Sequence, residues 1–82
     1  MNAIVQKIVD EIMQEVEQGH LREPNRHTVS YSFTLTEPEE VAVGPEIYEL
    51  FDQRLRSFFK GAKITSNGYA ASGYNIVARV DK

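Results

Sequence analysis

The chain has 82 residues, a net charge of −3 and no cysteine. This length allows one small domain spanning residues 1–82, in which folding buries roughly 60–65% of the unfolded surface. The lack of cysteine excludes a disulfide scaffold, a thiolate zinc site and a cysteine nucleophile, and it favours a cytoplasmic protein. The acidic balance disfavours bulk binding to nucleic acid and to anionic membranes, because both reward a basic surface.

The first segment, residues 2–18, has the pattern of an amphipathic helix. One stripe of apolar residues recurs at helical spacing: Ile4, Val5, Ile8, Val9, Ile12, Met13 and Val16. Because charged residues such as Lys7 and Asp10 interrupt the apolar residues along the chain, we expect this segment to be neither a secretory signal peptide nor a membrane span. We expect Gly19 to end the helix as the left-handed residue after its last turn.

The segment 28–36 alternates hydroxyl-bearing side chains with apolar ones without interruption. Successive side chains of a β-strand point to opposite faces of the sheet, so this alternation predicts a strand whose apolar face lies on a core. The opposite face then carries only Ser and Thr. It has no acid, base, thiol or metal ligand.

A second helix is predicted from Gly44 to about Lys60. Gly44 suits the N-cap and Pro45 the first helical position, while Gly61 suits the turn that follows the helix. The connector before this helix contains residues 41–43, which fit either a short extended piece or a single helical turn.

Two further strands are predicted, over residues 62–66 and 74–81. The intervening Asn67-Gly68 dipeptide is a strong hairpin signal. A two-residue turn there would nevertheless leave the apolar row of the last strand without a matching row on its neighbour. A longer loop across residues 67–73 or a β-bulge at Gly73 would resolve this mismatch, and we expect the longer loop.

These elements predict a small α+β domain with the order helix-strand-helix-strand-strand. A right-handed crossover would make the first two strands parallel, and the last strand would return antiparallel. The result is a three-stranded mixed sheet with both helices packed on one face. Its other face would carry Thr28, Ser30, Ser32, Thr34 and Thr36, with Lys63, Thr65, Asn75, Val77 and Arg79.

This second face would meet either water or another subunit. An outer strand also offers unpaired backbone groups along its edge, and a chain this small gains buried surface by pairing with a copy of itself. We therefore expect a homodimer with two-fold symmetry. The candidate interaction residues are Ser30, Ser32, Thr34, Arg54 and Arg79.

Arg54 is a candidate because it interrupts a pattern. Helical spacing places it inside the apolar arc, beside Ile47 and Leu50. Its methylene stem can follow the edge of the core while its head pairs with a carboxylate such as Glu15. Alternatively, it is an arginine presented at an interface, where arginine is enriched.

Catalytic and metal-binding patterns are weak. His20, Glu23 and His27 would share one face of a helix, but Pro24 breaks that helix, and a flexible connector makes a poor metal site. No nucleophile elbow or phosphate-binding glycine loop is present. We therefore expect no metal, no cofactor and no enzymatic activity.

The charge distribution supports an alternative function. Residues 37–52 contain acids without a basic residue, and residues 53–63 contain bases without an acid. A nucleic-acid-binding module could use the basic end of the second helix and the aromatic residues of the last hairpin: Arg54, Arg56, Lys60, Lys63, Tyr69 and Tyr74. The function we favour is that of a non-catalytic protein-interaction or regulatory domain, of the small accessory kind found on phages. We expect a protein partner, which the sequence does not identify, and no membrane partner.

Overall fold

The computed structural model describes residues 2–82 and contains three helices and three strands. In chain order they are α1 (Ala3–Arg22), β1 (Thr28–Leu35), α2 (Pro38–Ala42), α3 (Gly44–Phe58), β2 (Lys63–Ala70) and β3 (Tyr74–Asp81). The predicted α+β class, the order of the five predicted elements and the three-stranded sheet are confirmed. The short helix α2 shows that the connector before α3 takes the helical alternative.

Helix α1 continues past its predicted end at residue 18. Gly19 lies inside the helix, and its carbonyl oxygen accepts a hydrogen bond of 3.1 Å from the Glu23 amide. The ring of His20 packs edge-on against Phe58 and Phe59, with 5.5 Å between ring centroids in each pair. These tertiary contacts hold a last turn that local sequence does not favour. Pro24 then ends it, because proline disfavours helical geometry in the residue before it.

Helix α3 differs from its prediction by one or two residues at each end. Val43 is the N-cap residue and Gly44 is already helical, while the helix ends at Phe58 rather than near Lys60. Gly61 adopts a φ of +84° in the turn before β2, which is the left-handed region expected of a glycine after a helix.

The sheet has the order β1-β3-β2, and both neighbouring pairs are antiparallel. The predicted mixed sheet is therefore wrong in this detail. Strands β1 and β2 do run in the same direction, but β3 lies between them instead of at an edge. The central position follows from composition, because one side of β3 is buried along its whole length through Tyr74, Ile76, Ala78 and Val80.

The β2–β3 hairpin is tighter than predicted. Strand β2 continues through Asn67-Gly68 to Ala70, which lies opposite Tyr74. The loop is residues 71–73 only, and Ser72 and Gly73 both have positive φ. The predicted loop over 67–73 is wrong because Gly68 serves the core: its missing side chain leaves room for the Tyr74 hydroxyl, which a Cβ there would meet at 2.6 Å.

Helices α1 and α3 both pack on one face of the sheet, as predicted, and their apolar stripes form the core with the apolar face of β3. The fully buried side chains with the largest volumes are Phe51, Ile47, Leu55, Ile76, Val5, Val9, Val16 and Val80. None of the helices in residues 2–82 is both long enough and apolar enough to cross a membrane.

Candidate functional site

The face of the sheet away from the helices carries no other helix or strand of residues 2–82, and we call it the open face. The strand registers place its side chains in four rows across the three strands. From one end to the other these rows are Thr28–Asp81–Lys63, Ser30–Arg79–Thr65, Ser32–Val77–Asn67 and Thr34–Asn75–Tyr69. Of the predicted interaction residues, Ser30, Ser32, Thr34 and Arg79 therefore share one surface.

The two end rows of the open face are closed by hydrogen bonds. At one end the Thr28 hydroxyl donates to Asp81 at 3.0 Å, and the Nε of Arg79 donates to the same carboxylate oxygen at 3.3 Å. At the other end the Thr34 hydroxyl donates to the Asn75 side-chain oxygen at 2.9 Å. Polar groups in these rows are largely engaged with one another.

The two middle rows are open. The side chains of Ser30, Ser32, Thr65 and Asn67 are exposed and form no hydrogen bond with another residue of the described range 2–82. Together with Arg79 they surround a depression of about 380 Å³, with the half-buried Val77 on its floor. A partner that covers this depression would gain apolar contact at its centre and hydrogen bonds at its rim, which is the usual anatomy of a protein interface.

The hydrogen bond from Thr28 also lowers the pKa of the Asp81 carboxyl on the open face. It is the largest cause that holds the pKa of the Asp81 carboxyl below its ordinary value of 3.8, and Arg79 and Lys63 act in the same direction. Because the folded-state pKa is depressed, the stabilisation is present above pH 3.8 and is lost as the pH falls through the folded value. We expect Thr28→Val to raise the Asp81 pKa toward 3.8 in an NMR titration of the carboxyl group. An unchanged pKa would contradict this assignment of the donor.

Arg54 lies apart from the other interaction residues. Its guanidinium donates to the Asp10 carboxylate of α1 at 2.6 Å, and about a third of its side chain is exposed. It therefore joins α1 to α3 at the edge of the core. The expected carboxylate partner on the first helix exists, and it is Asp10 rather than Glu15.

The residues of the nucleic-acid alternative are divided among several surfaces. Arg54 and Arg56 pair with acids, the latter with Asp52 at 3.0 Å. Tyr74 is buried, with 8% of its surface exposed, so its ring offers no stacking surface. Lys63 and Tyr69 are both on the open face, but six residues of strand separate them by about 20 Å. Lys60 is exposed in the turn after α3.

Three residues of the open face were not among those predicted for it: Asn67, Tyr69 and Asp81. The turn signal at Asn67-Gly68 predicts a loop that includes Asn67 and Tyr69, although both residues continue the two-residue period of Lys63 and Thr65. Asp81 likewise follows Arg79 by two residues. The signal for all three is therefore the strand alternation itself, which on β2 continues through the Asn67-Gly68 dipeptide that usually marks a turn.

The cluster considered for a metal is dispersed. His20 packs against two phenylalanine rings, and Glu23 pairs with Arg26 at 3.5 Å. Within residues 2–82, no three side chains of His, Asp or Glu come together as a metal-binding group. Thr36, which the alternation placed on the hydroxyl face, follows the end of β1.

Comparisons of this chain with protein-family models, with curated proteins and with solved structures gave no match.

Proposed function

We propose that this protein is a small non-catalytic interaction domain that binds a protein partner through its open face and works as a homodimer. The observation that carries this proposal is the contrast between the rows of that face. The end rows are joined by internal hydrogen bonds, whereas the middle rows present free hydroxyl and amide groups around Val77. Small side chains at the centre allow close approach of another backbone or side chain.

The charge of the open face supports a protein partner over a phosphate backbone. Its charged groups are Lys63, Arg79 and Asp81, and the last two are paired at 3.3 Å. One remaining cation is a weak attraction for a polyanion, since affinity for nucleic acid grows with the number of phosphates neutralised. The cysteine-free composition supports a cytoplasmic location as part of the same proposal.

The experiment that tests this function compares two arginine substitutions. Thr65→Arg places a long cation at the central depression, on β2 rather than on β1, and we expect at least tenfold weaker capture of the partner protein from source-cell extract. Ser57→Arg adds the same charge at an exposed position of α3, away from the sheet, and should leave capture unchanged. Partner capture should also survive nuclease treatment.

Two outcomes would contradict the proposal. Equal loss of the partner in both variants would show that added charge, not the open face, controls binding. Capture that disappears with nuclease, falls steeply with salt and depends on Arg56 or Lys60 would favour the nucleic-acid alternative instead.

A further inference from the structure

Strand β1 forms one outer edge of the sheet, and no other strand within residues 2–82 pairs with that edge. The backbone amide of Lys82 donates to the His27 carbonyl at 2.8 Å, which fixes the alternation of hydrogen bonds along β1. Odd-numbered residues bond to β3. The N–H and C=O groups of Thr28, Ser30, Ser32 and Thr34 therefore point away from the sheet, and none bonds to another residue in the range 2–82.

This edge has none of the features that usually prevent strands from pairing. Residues 28–35 include no proline, no charged side chain and no glycine. The opposite edge is different. On β2, the carbonyl of Ile64 accepts a hydrogen bond from Arg56 at 3.4 Å, and the Ser66 hydroxyl bonds to Asp52 of α3 at 2.6 Å. An α3 side chain thus engages one outward carbonyl of β2, and β2 also contains a lysine and a glycine, whereas the outward groups of β1 have no such contact among residues 2–82.

The sequence of β1 is symmetric about Tyr31. Ser30 and Ser32 flank it, the apolar Val29 and Phe33 follow, and then Thr28 and Thr34. An antiparallel copy centred on the same tyrosine would place serine opposite serine and threonine opposite threonine. This is the self-complementarity that a two-fold interface requires, because the same surface meets itself.

We propose that two copies of this chain pair through β1, antiparallel and centred on Tyr31, to form one continuous six-stranded sheet. This inference rests on the proposed homodimer and assigns its interface. Thr28 would lie opposite Thr34 of the second copy and Ser30 opposite Ser32, exchanging about eight backbone hydrogen bonds. Each of these four residues has backbone N–H and C=O groups that point away from the sheet. The symmetry of the β1 sequence and the positions of its free backbone groups therefore predict the same register.

The core side of the junction fits this register. Val29, Tyr31 and Phe33 point to the helix side of the sheet but are only half-buried in the single chain. Pairing would bring the two Tyr31 rings opposite each other and Val29 opposite Phe33 of the second copy. Aromatic and β-branched pairs of this kind are favourable across antiparallel strands.

The groove beside β1 adds charge complementarity. It has a volume of about 840 Å³, and its helical wall carries Glu11 and Glu15 toward one end and Arg22 at the other. These three side chains form no ion pair within residues 2–82. A two-fold axis perpendicular to the sheet reverses the direction of α1, so Arg22 of each copy is brought toward the acidic end of the other.

Pairing at the edge would leave the open face uncovered and would double its width. Three strands span about 14 Å and six span about 29 Å. The two central depressions would lie on the same side of one sheet, related by the two-fold axis. The dimer would therefore present two copies of the partner-binding surface in a fixed relation.

The test is the oligomeric state of edge variants, measured by sedimentation equilibrium from about 1 to 100 µM, the range of micromolar dissociation constants. We expect the unmodified chain to dimerise and Ser32→Pro to dissociate at least tenfold more readily. Proline at 32 removes an outward N–H and no hydrogen bond within the chain. Ala70→Pro removes an outward N–H from β2 and is the matched control, expected to dimerise like the unmodified chain.

A second variant tests the same junction in case Ser32→Pro does not fold. Ser30→Lys/Ser32→Lys keeps the backbone intact and places lysine opposite lysine across the proposed junction, so it should also be monomeric. Circular dichroism confirms that each variant is folded. Thr65→Arg, on the open face of β2, should remain dimeric.

Three results would overturn the proposal. They are a monomeric unmodified chain, a dimer that both β1 variants leave intact, and a dimer lost only in Thr65→Arg, which would indicate face-to-face packing. The outcomes separate the two proposals. A dimer that both β1 variants leave intact, with partner capture that still depends on the open face, refutes the edge pairing alone. A β1 dimer without capture through the open face refutes the partner-binding function alone.

Discussion

We expect Phe51→Ala to lower the free energy of unfolding by about 3–5 kcal/mol, the usual cost of removing a buried aromatic ring. Phe51 is 0% exposed and meets the Phe33 ring edge-on at 5.7 Å between centroids. A chain of this length has a total stability of about 4–12 kcal/mol. The substitution therefore removes a large share of it, and a urea titration followed by circular dichroism measures the loss.

The control for Phe51→Ala is Ser57→Ala on the same helix. Ser57 is exposed and forms no side-chain hydrogen bond within the described range, so its replacement should change stability by no more than about 0.5 kcal/mol. A loss below about 1 kcal/mol for Phe51→Ala would show that the ring is not at the centre of the core.

The second large effect is expected at Gly44, the first residue of α3. Alanine normally stabilises a helix relative to glycine by about 1 kcal/mol. Here the added Cβ would stand 2.4 Å from the Cγ of Tyr74, too near the root of a buried side chain for the ring to move aside easily. We expect Gly44→Ala to destabilise the fold by about 1–3 kcal/mol, the range for overpacking.

Two further variants show whether this clash causes the loss, with stability measured by thermal or urea denaturation. Gly19→Ala introduces the same methyl group into α1, where a Cβ would have no neighbour within 4 Å, and it should stabilise the protein. Combining Gly44→Ala with Tyr74→Leu should cost less than the sum of the single changes, because the residues are in contact. Additive losses would place the origin of the Gly44 effect elsewhere.

The fold could be read from the sequence wherever a strict period is present. The alternation of β1 and the helical stripes of α1 and α3 predicted these elements and the side of the sheet they cover. The strand order could not be read in the same way, because no local pattern states that β3 lies between β1 and β2. The errors at Gly19 and Gly68 have one physical cause, a tertiary contact that overrides the local preference. His20, the residue after Gly19, packs on Phe58, and the Tyr74 hydroxyl occupies the space beside Gly68.

The candidate site was predictable in part for the same reason. The two-residue period placed Ser30, Ser32, Thr34 and Arg79 on one face, and the structure brings them together. The two-residue period did not show which hydroxyls form hydrogen bonds. Thr28 and Thr34 donate to side chains of β3, whereas Ser30 and Ser32 do not. Arg54 stood out in the sequence because it is a cation at the edge of an apolar stripe, and its pairing with Asp10 explains that position.

Disulfide cross-linking of Tyr31→Cys tests the proposed self-pairing most directly, because the chain has no other cysteine. In the proposed register the two residues 31 form a non-hydrogen-bonded pair about 4.5 Å apart at Cα, within the range of about 4.4–6.8 Å that a disulfide accepts. We predict rapid formation of a covalent dimer under mild oxidation, and slow formation for Thr65→Cys or when Ser32→Pro is added. Cross-linking of Tyr31→Cys no faster than that of Thr65→Cys would contradict pairing through β1.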